Sequence, residues 1–292
     1  MKDKLMLPEN TFSNKTFIVT GGGSGLGKYI SESLLLLNAN VVIIGRNEEK
    51  LKNTSLELAS KTQNNNIKYV AGDVRKHEDV LNFIDFTIKS FESINGVINN
   101  AAGNFITPTE NLSFNAFDTI VDIVLKGTYN MSLATGKYWI ANKISGVFLN
   151  IVTTYAESGS SFVVPSATAK AGVVSLTKSL ASEWGKYGIR SNAIAPGPFP
   201  TDGAWSRLFP KEIADLYTPE NKIPLKRFGK HEELCNLATY LLSDYSAYVN
   251  GAVMQIDGGE YNFGAGEFNF LNQISSETWK QIEETIRKTK TK

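Results

Sequence analysis

Thr20-Gly21-Gly22-Gly23-Ser24-Gly25-Leu26-Gly27 closes a short hydrophobic stretch (residues 16–20) and opens one with helical apolar spacing (26–37). A strand that turns through glycines into a helix aims main-chain N–H groups and the positive helix end at one point. That arrangement suits a pyrophosphate. Ordinary turns also match three glycines, so the segment decides the fold only together with the pattern downstream of it. Further strands are expected at 40–45, 67–71, 96–99, 146–153, 189–195 and 252–256. Between them, helices are expected at 26–37, 48–61, 77–91, 114–126, 129–141, 166–187, 210–216 and 232–243. Strict alternation of this kind implies an α/β chain with helices on both faces of a parallel sheet.

The expected fold is a single doubly wound (Rossmann) parallel sheet of about seven strands, without a linker that would separate two domains. Residues 16–260 would form this one nucleotide-binding domain, after an N-terminal arm (1–15). A C-terminal extension (261–292) comes last, with a short helix near 276–288. The apolar spacing of that helix is thin, which suits a surface or subunit contact better than a second core.

Composition narrows the function classes. Hydrophobic residues at 42% and charged residues at 20% of 292 are ordinary for a soluble globular enzyme. A formal net charge of +1 gives no footprint for nucleic acid or an acidic membrane surface. One cysteine, Cys235, excludes an intramolecular disulfide and a thiolate-held iron–sulfur cluster. His77 and His231 stand far apart, so no metal site is expected. Leu34-Leu35-Leu36-Leu37 is too short to span a membrane. The residues before the first strand include Asp3 and Glu9 and no arginine, unlike a transit or signal peptide. Thr289-Lys290-Thr291-Lys292 is no peroxisomal address.

Three more segments stand at strand ends: Asp73-Val74 after the third, Asn99-Asn100-Ala101-Ala102-Gly103 after the fourth, and Pro196-Gly197-Pro198-Phe199 after the sixth. The second strand ends in Gly45-Arg46-Asn47. A carboxylate there would bind the ribose 2′-hydroxyl of NAD and repel a 2′-phosphate, whereas Arg46 can form charge-assisted bonds with that phosphate. NADP(H) is therefore the expected cofactor, against the alternative of a solvated surface arginine. Farther on, Ser166-Ala167-Thr168-Ala169-Lys170 puts Ser166 and Lys170 on one helix face, one turn apart. The nearest upstream tyrosine is Tyr155, beyond a glycine-containing loop.

Taken in order, these segments resemble the short-chain dehydrogenase/reductase family, whose members usually carry Tyr-x-x-x-Lys where this chain has Ser166 and Lys170. The resemblance implies nicotinamide-dinucleotide contacts at Thr20, Gly21, Gly22, Gly23, Ser24, Gly25, Leu26, Gly27, Arg46, Asp73, Val74, Asn100, Ala101, Lys170, Pro196, Gly197, Pro198 and Phe199. Residues 100–105, 153–172, 182–188 and 282–288 further resemble the NADPH-dependent 2,4-dienoyl-CoA reductases within that superfamily. By that resemblance Tyr155 and Asn104 hold a dienolate oxygen, Lys170 holds the nicotinamide ribose, and Ser166 supports the site. Arg75, Phe105, Ser113 and Arg207 match substrate-contacting positions for an acyl-CoA, whose phosphates suit arginine forks. A homo-oligomer, usually a tetramer built on the helices at 114–141 and 166–187, is implied as well, as is a mitochondrial location with cytoplasm as the alternative.

The displaced tyrosine has a chemical reason. In ordinary members a phenol gives its proton to the carbonyl whose carbon accepts hydride, and Ser166 is too short and too weak an acid to replace it. Hydride added to C5 of a 2,4-dienoyl thioester instead drives electrons along the conjugated chain to the thioester oxygen. A donor stabilising that charge must stand away from the carbon being reduced. Two alternatives remain at this point: a reductase of another carbonyl substrate, and a catalytically silent NADP-binding protein. One position departs from the broader pattern, because Lys126-Gly127 stands where a proton-relay asparagine is usual. A water chain built on that asparagine is therefore not expected here.

Overall fold

Val41-Val42-Ile43-Ile44 is β-branched throughout and inaccessible on both faces, as a strand covered by helices on either side must be. It belongs to β2 (Asn40–Gly45) in the computed structural model, which describes residue 1 and residues 4–201 and 218–290. The other strands are β1 (Thr16–Thr20), β3 (Ile67–Ala71), β4 (Gly96–Asn99), β5 (Gly146–Ile151), β6 (Ile189–Pro196) and β7 (Val253–Ile256). All pair in parallel in the order β3-β2-β1-β4-β5-β6-β7. The doubly wound sheet expected from the alternation is the one observed.

Period-2 alternation divides the core in two. Val19, Val41 and Ile43 face one layer, shared with Ile30 and Leu34 of α1 (Gly25–Leu36), Leu51 and Leu58 of α2 (Glu48–Thr62), and Leu234 and Leu241 of α8 (His231–Leu242). Ile18, Val42 and Ile44 face the other, with Phe83 of α3 (His77–Phe91), Trp139 of α5 (Gly127–Asn142) and Trp184 of α7 (Val164–Trp184). Register keeps the two sets apart: Val19 lies opposite Ile43, and Ile18 opposite Val42. Ahead of β1, Leu7 and Phe12 are buried in the first layer, and Phe12 meets Phe17 edge-on at 4.9 Å between ring centroids.

Two local differences from the sequence expectations bear on the site. The helix expected to stop at 126 continues: α4 (Phe114–Val121) runs through a π-helical turn (Asp122–Lys126) into α5. Gly127 reads as a breaker in sequence, yet a Cβ there would lie 2.5 Å from Val74 Cγ2. The glycine admits close packing and does not end the helix. Secondly, β5 stops at Ile151, two residues early, because the chain turns into a single helical turn, α6 (Tyr155–Ser158), that the sequence reads as loop.

Beyond β7 come α9 (Glu260–Ala265) and α10 (Ser276–Lys290), which leaves Trp279 and Ile286 exposed. The helix expected at 210–216 lies outside the described residues. Among those described, no helix is long and apolar enough to cross a membrane.

Candidate active site

β1 pairs with β2 on one side and β4 on the other, so the connections leaving β1 and β4 diverge and open a crevice at the carboxyl ends of the strands. Its floor is tied together. The Thr20 hydroxyl accepts the N–H groups of Asn100 (2.9 Å) and Ala101 (3.0 Å) and donates to the Ile98 carbonyl (3.2 Å). Asn100 Nδ2 reaches back to the Thr20 carbonyl at 3.0 Å. A Cβ on Gly27 would fall 2.5 Å from that amide nitrogen and 2.6 Å from the Gly21 carbonyl oxygen, so the helix can seat on the loop only through glycine. Ser24, the residue ahead of α1, makes no side-chain capping bond, and the first turn of α1 carries no acid. Its N–H groups therefore remain available to an anion, and these residues fit a dinucleotide pyrophosphate.

Two cavities flank this loop. Gly21, Gly23 and Ser24 line both of them. The smaller, about 290 Å³, is lined by Arg46, Asp73, Val74 and Ala101 and has the place of an adenosine pocket. Asp73 is not free there: its carboxylate accepts Arg75 Nε and Nη2, the latter at 2.6 Å, and also the Arg75 main-chain N–H at 3.0 Å. The Arg75 guanidinium holds the Asp73 carboxyl below the usual carboxylate range. Arg75 is thus turned toward Asp73, with Nη1 as its uncommitted nitrogen among the described residues.

The larger cleft, about 740 Å³, brings Gly25, Leu26, Asn104, Tyr155, Ser166, Lys170, Pro196, Gly197 and Phe199 into one space. Pro198 turns aside and lines a separate small cavity with Leu225 and Arg227. At the centre of the cleft is a chain of polar side chains. Asn104 Oδ1 accepts the Phe105 N–H (2.9 Å), which orients the amide so that Nδ2 donates to Tyr155 Oη at 3.2 Å. On its other side the same phenol oxygen lies 3.3 Å from Ser166 Oγ. The phenol comes from α6 but delivers its oxygen beside the first residue of the Ser-x-x-x-Lys segment on α7. Because Asn104 Nδ2 can only donate, the phenolic proton is left to point at Ser166 or into the cleft.

Lys170 sits one turn beyond Ser166 and is buried, its Nζ donating to the Ile151 carbonyl at the end of β5. Burial pushes its ammonium down to about 8. Cys235, the lone thiol, is buried in the opposite core layer, and burial pushes it up to about 12.

Other expected residues stand apart from this cluster. Ser113 is exposed and caps α4, accepting the Ala116 N–H at 3.2 Å. Phe105 packs, partly buried, against the apolar cluster to which Ile120 and Val124 belong. Lys126 is half exposed and lies 3.6 Å from Asp122 one turn earlier, so its side chain does not replace the relay asparagine. Arg207 lies outside the described residues. The structure adds groups that the sequence pattern did not single out: Thr153, Thr201 and Lys50 also line the larger cleft. The Thr153 hydroxyl is buried with no partner among the described residues. A threonine just past a strand, two residues before the phenol, was the available signal.

Residues 21–260 match the sequence profile of the family described as Enoyl-(Acyl carrier protein) reductase. A Caenorhabditis elegans protein named Probable 2,4-dienoyl-CoA reductase 3, (3E)-enoyl-CoA-producing, is 42% identical over 97% of this chain and 92% of its own length. One from Bacillus subtilis (strain 168), named Probable 2,4-dienoyl-CoA reductase, (2E)-enoyl-CoA-producing, is 44% identical over 85% of this chain and 96% of its own. Among solved structures, a short chain dehydrogenase from Bacillus anthracis superposes with a TM-score of 0.77 at 44% identity, covering 85% of this chain and 97% of that one.

Proposed function

The chain belongs to the short-chain dehydrogenase/reductase family, and within it we propose that the chain is an NADPH-dependent 2,4-dienoyl-CoA reductase yielding trans-3-enoyl-CoA in the β-oxidation of unsaturated fatty acids. It is an oxidoreductase using a nicotinamide cofactor, which supplies the hydride that adds to C5 of the dienoyl thioester. Tyr155 and Asn104 hold the thioester oxygen on which the electrons collect, donating to it more strongly as its charge grows. Ser166 braces the phenol oxygen from the far side. Lys170, anchored on β5, presents its charge toward the nicotinamide ribose. A proton delivered to C2 of the dienolate leaves the double bond between C3 and C4; one delivered to C4 would leave it between C2 and C3.

The observation that carries this reading is the chain Asn104–Tyr155–Ser166: a phenol reaches the reductase position from a different element, at a different place from Tyr-x-x-x-Lys. Arg46 at the end of β2, where an NAD enzyme would have a carboxylate, supports NADPH. Residues 16–260 act as the catalytic domain, preceded by the arm and followed by the extension. A tetramer and a mitochondrial setting complete the proposal by resemblance, although the bacterial relative means that the chemistry is not tied to an organelle.

The test is NADPH oxidation with a defined 2,4-dienoyl-CoA, with subsequent location of the product double bond. A 3-enoyl product at a rate well above that with NADH is expected. No turnover of the dienoyl thioester would overturn the reading. A 2-enoyl product, as in the name of the Bacillus subtilis relative, would keep the substrate and correct the site of protonation.

A further inference from the structure

Lys50 lines both cavities, the adenosine pocket beside Arg46 and the larger cleft beside Ser24, and so stands between the glycine loop and the end of β2. Its main-chain N–H is taken by the capping side chain of Asn47 (2.8 Å), which fixes the first turn of α2. Its stem passes over Gly23, the site of a would-be Cβ 3.9 Å from Lys50 Cγ. Among the described residues, neither Arg46 nor Lys50 has a side-chain hydrogen bond or salt bridge. Other lysines at these walls differ: Lys28 is held by Glu57 at 2.6 Å. The acids near Lys50 do not neutralise the pocket. Glu48 faces the groove along β3, on the other side of α2, and Asp73 is engaged by Arg75.

We propose that Lys50 is a second specificity determinant for the cofactor, its ammonium sharing the 2′-phosphate of the adenosine ribose with Arg46. This rests on the NADPH reading and deepens it. A guanidinium at the strand end offers a planar fork, whereas a lysine one helical turn on offers a mobile point charge. Together they can hold a dianion from two directions. No acid among the described residues is bonded to either cation; Asp73 feels the charge of Arg46 but is itself bonded to Arg75, which leaves both cations available to a ligand. The arrangement would favour NADPH over NADH, because only the 2′-phosphate brings an anion to both cations.

The test avoids turnover. Adenosine 2′,5′-bisphosphate and 5′-AMP are titrated calorimetrically into the full-length protein, its Lys50→Ala and Lys50→Arg variants, and Arg46→Ala. Lys50→Ala should weaken the bisphosphate about tenfold and 5′-AMP by less than about twofold. Lys50→Arg should restore most of the loss, and the affinity lost with added salt should be smaller in Lys50→Ala than in the wild type. If Lys50→Ala binds the bisphosphate as tightly as the wild type while Arg46→Ala does not, Lys50 is merely solvated: the inference fails and the NADPH reading stands. Equal losses for both ligands would make Lys50 a structural or adenosine contact, which also overturns it. Should the wild type bind both ligands equally, the NADPH reading fails, and the inference with it.

Discussion

At the scale of single residues, the phenol of Tyr155 is flanked by an obligatory donor on one side and a hydroxyl on the other. In the proposed mechanism, removing the phenol oxygen takes away the stabiliser of the distant charge, whereas removing Ser166 Oγ only loosens its orientation. Tyr155→Phe should lower kcat with a dienoyl thioester roughly a hundred- to ten-thousandfold, and Ser166→Ala by less than about tenfold. Equal and small effects in steady-state kinetics would dissolve the assigned roles. Lys170 carries a pH signature. Its ammonium titrates near 10.5 when exposed and at about 8 when folded, because burial disfavours the charge. Below pH 8 both states hold the proton, and the burial penalty, roughly 3 kcal/mol, is constant. Between about 8 and 10.5 the unfolded chain binds more protons, so stability should rise with pH across that window. Lys170→Met should flatten the rise when denaturant midpoints are measured against pH. Activity should behave oppositely and fall as pH climbs through about 8, because the charge facing the ribose disappears. Lys170→Arg should displace that limb upward.

Elements were legible in the sequence where one periodicity dominated. The strand Val41-Val42-Ile43-Ile44 and the helices α2 and α3 announce themselves through apolar spacing. The α4–α5 junction did not, because Gly127 carries the same symbol whether a helix stops or a neighbour approaches, and only Val74 in space distinguishes the two. Gly127→Ala should therefore destabilise the fold, by about 1–3 kcal/mol despite alanine's better helix propensity. A lower Tm would show this; a raised Tm would mean that Val74 yields without cost. α6 was invisible for a different reason. Four residues are too few for a periodic signal, yet that turn swings Tyr155 into the cleft. The site was read more from motif order than from local pattern. Hence Lys50, outside every such stretch, and Thr153, inside one but without a role of its own there, were not singled out, while Ser113 proves to have a capping bond of its own.

On the scale of the whole molecule, a parallel sheet with crossovers on both faces joins residues distant in sequence: β1 lies against β4, and Lys4 against Glu232 at 2.8 Å. Cys235 is fully enclosed in the layer that Leu7, Phe12, α1 and α8 build together. With its thiol pushed up to about 12, it cannot react without large-scale opening. Iodoacetamide should leave the native protein unlabelled, with a rate that follows global unfolding as denaturant is raised. Rapid labelling in buffer alone would mean that α8 opens by itself.

Thr20 and Asn100 bind the two halves of the crevice to each other with groups that belong to the protein. The nucleotide is therefore a guest in a room already furnished, and little of its affinity is diverted to ordering walls. Empty and loaded forms should share one thermal unfolding transition, separated only by the mass-action increment that ligand concentration and dissociation constant dictate. An apoenzyme built this way can wait for its reductant.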